Sequence, residues 1–192
     1  VCETFCPDLA IEKNGSIVSD ILLNTYTSTI TGLSESTEYY FNILVSDENQ
    51  NKSVYQTIVV KTSDLTAPML VSGSDITVTN LRSDKLTLTW QKAFDADTPQ
   101  EELLYSLYQS INGTIETIED ILAFGVIIQD WSSNITSCEI TNLTEASQYN
   151  YNVIVQDKSG NMTAYAMKSV TTPGLTAPVP GNNGTITFEN IQ

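Results

Sequence analysis

The sequence repeats itself at a single offset. Residues 30–68, ITGLSESTEYYFNILVSDENQNKSVYQTIVVKTSDLTAP, align without a gap to residues 140–178, ITNLTEASQYNYNVIVQDKSGNMTAYAMKSVTTPGLTAP, a displacement of 110 (140 against 30). The paired identities include Leu33 with Leu143, Tyr39 with Tyr149, Asp47 with Asp157, Asn51 with Asn161 and Tyr55 with Tyr165; further on, Ile76, Thr77 and Asn80 meet Ile186, Thr187 and Asn190. A fixed period is the signature of a tandem array. A period of this length is a small domain in itself, so each copy can bury its own core and the array reads as beads on a string, not a solenoid. The same offset sets the organisation. Residues 1–65 correspond to 111–175 and so read as the second half of a domain; residues 66–172 form a complete copy; residues 173–192 read as a linker and the opening strand of a further one.

Charge and composition narrow the function classes. Eight basic residues face 23 acidic ones, a net charge of −15. That field repels phosphate backbones and anionic lipid, so neither nucleic acid nor membrane insertion is expected. No apolar run approaches the ~18 residues of a membrane span, and the first residues lack a signal peptide's basic start and apolar stretch, so the chain reads as an already trimmed, soluble piece. Histidine is absent, which removes the commonest general base near neutral pH and the commonest transition-metal ligand. No cofactor, resident metal or enzymatic activity is expected. The three cysteines, Cys2, Cys6 and Cys138, make neither a disulfide framework nor a four-ligand zinc site. Cys2 and Cys6 are close enough in sequence to pair with each other, and Cys138, alternating with Ile140, reads as a buried small hydrophobe.

The periodicity is that of an all-β chain. KLTLTW places Leu86, Leu88 and Trp90 on one face of a strand, and YNYNVIVQD does the same with Tyr149, Tyr151, Val153 and Val155; alternation of this kind marks half-buried strands. DKSGN at 157–161 predicts a hairpin turn, and DENQN at 47–51 predicts the same turn without the glycine. One segment departs from period two. TIETIEDILAFG at 114–125 spaces Ile115, Ile118, Ile121 and Leu122 as on a helix, with Thr114 as the expected cap and Gly125 after the last turn. CPDLAIEKNG, ending at Gly15, is its counterpart near the start, with Pro7 in a first helical turn.

Three features resemble the fibronectin type III family, and in particular the divergent tandem repeats of microbial surface and extracellular proteins. Trp90 falls where that family keeps a core tryptophan on its second strand. LSESTEY (33–39) and LTEASQY (143–149) have the leucine-to-tyrosine spacing of the family's tyrosine corner, with Tyr39 and Tyr149 as the corner residues. The linker-like TAP opens each copy. The resemblance implies tandem fibronectin type III or immunoglobulin-like β-sandwiches with a short helical insert, and a scaffold used for adhesion, spacing and signalling alike. No RGD tripeptide is present, so integrin-type attachment is not expected.

Candidate sites follow from loops. Seven Asn-x-Ser/Thr sequons occur, at Asn14, Asn51, Asn112, Asn134, Asn142, Asn161 and Asn183. They read either as acceptors for N-linked glycans or as polar turn residues. FDADTPQEE at 94–102 offers Asp95, Asp97, Glu101 and Glu102 as hard oxygen ligands, but its spacing matches no tight calcium loop and it reads as a solvated connection. Asp157 with Asn161, and Asp47 with Asn51, are explained by turn formation. Trp131, Tyr108 and Tyr40 are the rings expected to be exposed, as ordinary edge packing and not a sugar platform.

The expectation is an extracellular or cell-surface structural repeat, N-glycosylated, forming a filament or stalk whose partners are copies of itself or neighbouring repeats. GTITFEN at 184–190 is a candidate for strand addition to the half domain of the next chain. The alternatives are an adhesin or carbohydrate-binding module with glycans as partners, and a passive spacer attached to a surface enzyme.

Overall fold

A computed structural model describes residues 27–111, 113–175 and 184. The chain divides into two compact units, Val1–Thr66 and Ala67–Gln192. Cys2, Cys6, Asn14, Asn112, Asn183, the helix counterpart at 6–15 and most of the strand expected at 184–190 lie outside the described residues.

In the first unit, β1 (Glu38–Phe41) pairs antiparallel with β4 (Ile58–Lys61), and β2 (Leu44–Ser46) with β3 (Lys52–Val54). The turn between β2 and β3 is held by Asp47, whose carboxylate accepts from the backbone N–H groups of Asn49 (2.9 Å) and Asn51 (2.8 Å) and from Asn51 Nδ2 (2.7 Å). Gln50 takes the left-handed conformation there, at φ 64°.

The second unit is a two-sheet sandwich. One sheet has the order β5-β6-β9, with β5 at Thr77–Thr79, β6 at Leu86–Thr89 and β9 at Ser137–Ile140. The other comprises β7 (Leu104–Ser110), β8 (Val126–Ser133), β10 (Gln148–Gln156), β11 (Met162–Ala164) and β12 (Lys168–Thr171), in the order β11-β10-β7-β8, with β12 continuing the β11 edge along β10. Between the sheets lie Leu86, Leu88 and Trp90 from one side, and Tyr105, Leu107, Tyr149, Tyr151, Val153 and Val155 from the other. This is the alternation expected from the sequence. The turn at 157–161 repeats the Asp47 arrangement: Asp157 accepts from Ser159 N, Asn161 N and Asn161 Nδ2, and here Gly160 supplies the positive φ, at 93°.

The strand ladders of the two units share one register. Glu38↔Lys61 through Phe41↔Ile58 in the first unit has the pairing of Gln148↔Thr171 through Tyr151↔Lys168 in the second, and Leu44↔Val54 has that of Ile154↔Ala164. Their surroundings differ. Ile43, Val45 and Tyr55 are 61, 46 and 61% exposed, whereas Val153, Val155 and Tyr165, which stand at the matching positions, are at most 2% exposed. In the second unit that face is covered by β6, β9 and the residues flanking them. Residues 27–30 match β9 but form no strand, and none of the described residues of the first unit matches β6, the strand with which β9 pairs.

The helical segment is present, with corrections. α1 spans Ile118–Phe124, and its cap is Thr117, not Thr114. Thr117 Oγ1 accepts from Asp120 N (3.1 Å), and the Asp120 carboxylate reaches back to the Thr117 N–H and hydroxyl, a reciprocal cap that the acidic residue at the third helical position makes possible. Gly125 ends the helix in an extended conformation (φ −80°). A Cβ there would meet Ile121 O at 2.5 Å and Tyr108 at 3.1 Å, so close packing, and not a left-handed turn, calls for glycine. Ile115 and Ile121 are buried, Ile118 half-buried, and Leu122, expected on the same face, is exposed.

This insert packs on the outer face of the larger sheet. Ile115 and Ile121 join Tyr108 and Ile154 in a second apolar cluster, flanked by Trp131, Met162 and Met167. Two expectations change as a result. Strand β10 is not half-buried: Asn150, Asn152 and Ile154, on the face assigned to solvent, are buried too. The two amides are satisfied by the insert's backbone, Asn150 Nδ2 donating to Gly113 O (2.9 Å) and Asn152 Nδ2 to Ile115 O (2.7 Å). Tyr108, expected at the surface, is buried under the same insert.

Candidate functional site

The second unit brings its most unusual polar chemistry together where the 94–100 loop meets the 157–161 turn. Asp95, expected in a solvated loop, is buried because its Oδ1 accepts the N–H groups of Asp97 (2.9 Å) and Thr98 (2.7 Å) and so holds the loop inward. A carboxylate oxygen of Asp95 lies within 4.8 Å of one of Asp157. Lys158 ties the two segments, its N–H donating to Thr98 Oγ1 (3.4 Å) and its ammonium to Asp97 O. Paired carboxylates so close repel unless other groups offset the charge; here each accepts two backbone N–H groups, Asp95 from Asp97 and Thr98 and Asp157 from Ser159 and Asn161. Glu101 and Glu102, the other ligands weighed from the sequence, are exposed. The loop lines a shallow cleft between Phe94 and Gln100.

The tyrosines singled out from their spacing make matching contacts. Tyr39 Oη accepts from Ser34 N and Tyr149 Oη from Thr144 N, both at 2.8 Å and both across five residues. Each loop is closed further by a threonine: Thr62 Oγ1 donates to Ser34 O, and Thr172 Oγ1 to Thr144 O, at 2.6 Å. Trp90 is buried in the main core. Tyr151 and Tyr165 lie there too, and burial pushes both phenols well above the usual tyrosine range. Tyr165 donates to Gln91 O (2.6 Å), whereas the Tyr151 hydroxyl has no hydrogen-bond partner among the described residues.

The sequon asparagines are distributed over turns. Asn51, Asn134 and Asn142 are exposed and Asn161 is half-buried; Asn134 and Asn142 are left-handed, at φ 64° and 61°. Asn51 and Asn161 each direct Nδ2 to the aspartate of the turn at 2.7 Å. In the first unit this bonding holds Asp47 below the usual carboxylate range, the Asn51 side chain being the largest cause. Cys138 is half-buried against the core, and desolvation raises its thiol. Tyr40 and Trp131, expected as exposed rings, are both half-buried. No helix among the described residues is long and apolar enough to cross a membrane.

Sequence reasoning missed one surface. Residues 122–128, LAFGVII, form a continuous apolar run, all but Gly125 exposed, at the end of α1 and the start of β8. The run itself is visible in the sequence, but its exposure is not.

No curated protein matches the chain. Among solved structures, a myokine structure is similar at 17% identity over 57% of this chain and 98% of its own (TM-score 0.41). The sixth fibronectin type III domain of the human fibronectin type III domain containing protein 3 is similar at 17% identity, over 62% and 98% (TM-score 0.43). The fn3 domain of human contactin 1 is similar at 19% identity, over 62% and 86% (TM-score 0.40). The fibronectin type III domain profile matches residues 68–171, a span holding both sheets, the main core and the insert: the chain belongs to the fibronectin type III family.

Proposed function

We propose that this chain is a structural repeat unit of an extracellular, N-glycosylated filament or cell-surface stalk, in which fibronectin type III domains follow one another and serve as spacers. The observation that carries the reading is the open face of the first unit. Its ladders have the register of the complete domain, yet Ile43, Val45 and Tyr55 stand exposed where Val153, Val155 and Tyr165 are buried. Fully burying an aliphatic side chain of this size is worth roughly 1.5–3 kcal/mol, and at about half exposure roughly half of that is forfeited. The face is therefore one to be covered by an opposing sheet, as β6 and β9 cover it in the second unit. Head-to-tail joining is the finer form of the proposal, with the alternating segment at 184–190 added as a strand to the next chain. The exposed sequon asparagines at turns support glycan attachment, and fibronectin type III domains are typically non-catalytic scaffolds.

The test is a fusion. At the repeat offset, residue 110 is followed by the equivalent of residue 1, so a second copy of residues 66–110 placed ahead of Val1 supplies equivalents of β5, β6 and β7. The expected result is a second cooperative unfolding transition and slowed amide hydrogen exchange at Ile43, Val45, Tyr55 and Val60. Unchanged exchange in the fused chain overturns the reading.

A further inference from the structure

The exposed run at 122–128 lies outside everything described for the scaffold. Leu122, Phe124, Val126 and Ile127 are 54, 66, 65 and 51% exposed. Runs of several consecutive exposed apolar residues are disfavoured in soluble domains unless a partner uses them. β8 is also an edge strand, pairing only with β7 among the described residues. Natural edges are protected by charged side chains, proline or bulges. Here the register shifts against β7 fall around Leu107, opposite the stretch that follows Ile127. The first residues of β8 carry no charge, so the unprotected edge is continuous along the chain with the apolar end of α1.

Charge selects the occupant. From Ala93 to Asp157 the sequence contains no lysine, arginine or histidine, but it does contain Glu116, Glu119 and Asp120 before the run and Asp130 just after it. Glu116, Glu119 and Asp130 are exposed. A second copy of this chain would bring the same carboxylates against one another, and an anionic lipid surface would be repelled likewise. We propose that the apolar run Leu122–Ile128 is a docking surface for an extended apolar segment of another protein flanked by lysine or arginine. The segment lies along the free edge of β8 at Val126 and Ile127, packs against Phe124 and Leu122, and sets its basic flanks beside Glu119 and Asp130. Main-chain pairing gives affinity, while the acidic rim gives specificity and rate.

The test uses the full chain and two synthetic peptides of alternating valine and threonine, one flanked by paired lysines and the other by paired glutamates. Calorimetry is expected to show binding of the lysine peptide that weakens as salt is raised, and none of the glutamate peptide. Val126→Lys/Ile127→Lys should weaken binding by about tenfold or more while circular dichroism stays that of the parent. Should that variant not fold, Phe124→Ser, at a side chain two-thirds exposed, carries the same expectation. Equal binding of the two peptides, no binding of the lysine peptide, or unchanged affinity in the folded variants overturns the proposal. Concentration-dependent dimerisation abolished by either variant also overturns it, because a second copy is then the occupant.

Discussion

Replacing Ile121 with alanine tests whether the insert is an integral layer of the domain or an ornament. Ile121 is fully buried and packs with Tyr108, Ile115 and Ile154. Truncation removes three carbons, at about 0.8 kcal/mol each, and the cavity left among Trp131, Met162 and Met167 adds to this, so the expected loss is about 2.5–4 kcal/mol. The neighbouring control is Leu122→Ala, on the exposed side, expected within about 0.5 kcal/mol of the parent. Urea unfolding followed by far-ultraviolet circular dichroism should show a lower midpoint for Ile121→Ala with the slope unchanged. In thermal scans the loss corresponds to about 10 °C or more for a domain of this size. Tryptophan fluorescence reports the same event, because Trp131 flanks the cluster. If both variants unfold at the same midpoint, the insert does not share the cooperative unit and the argument from the second cluster fails.

Three other outcomes follow from particular contacts. Tyr149→Phe removes the acceptor of the Thr144 N–H and should cost about 1–2 kcal/mol in denaturant unfolding. Tyr151→Phe deletes a buried hydroxyl that has no partner among the described residues, so it should be neutral or stabilising by up to about 1 kcal/mol; a loss as large as that of Tyr149→Phe would contradict this placement. In carbon-detected NMR, Asp47 should titrate below the usual aspartate range, with Asn51→Ala moving it back up. Because the folded value is the depressed one, the turn's contribution is present above the unfolded value of about 3.9 and is lost as pH falls through the folded value.

Much of this fold was legible because period two reports on a strand's own two faces. Leu86, Leu88 and Trp90, and Tyr149, Tyr151, Val153 and Val155, lie where alternation places them, and the repeat offset carried the ladder register from one unit to the other. What alternation does not report is which layer lands on a face. Asn150 and Asn152 look like solvent positions, and only the backbone of residues 113–115 arriving above them makes them buried donors. The burial of Tyr108 has the same cause. Asp95 departs from its expected solvated position for a related reason: a carboxylate that accepts two backbone N–H groups can be taken inside, and the sequence shows the carboxylate without its donors. At the helix cap two threonines compete, and Asp120 three residues after Thr117 decides between them.

The central claim, that the chain is a unit of a domain array, is tested most directly by electron microscopy of the native material. Beaded fibres or stalks of regularly spaced globular domains are the predicted result; a field of dispersed single particles, each the size of one chain, would contradict it.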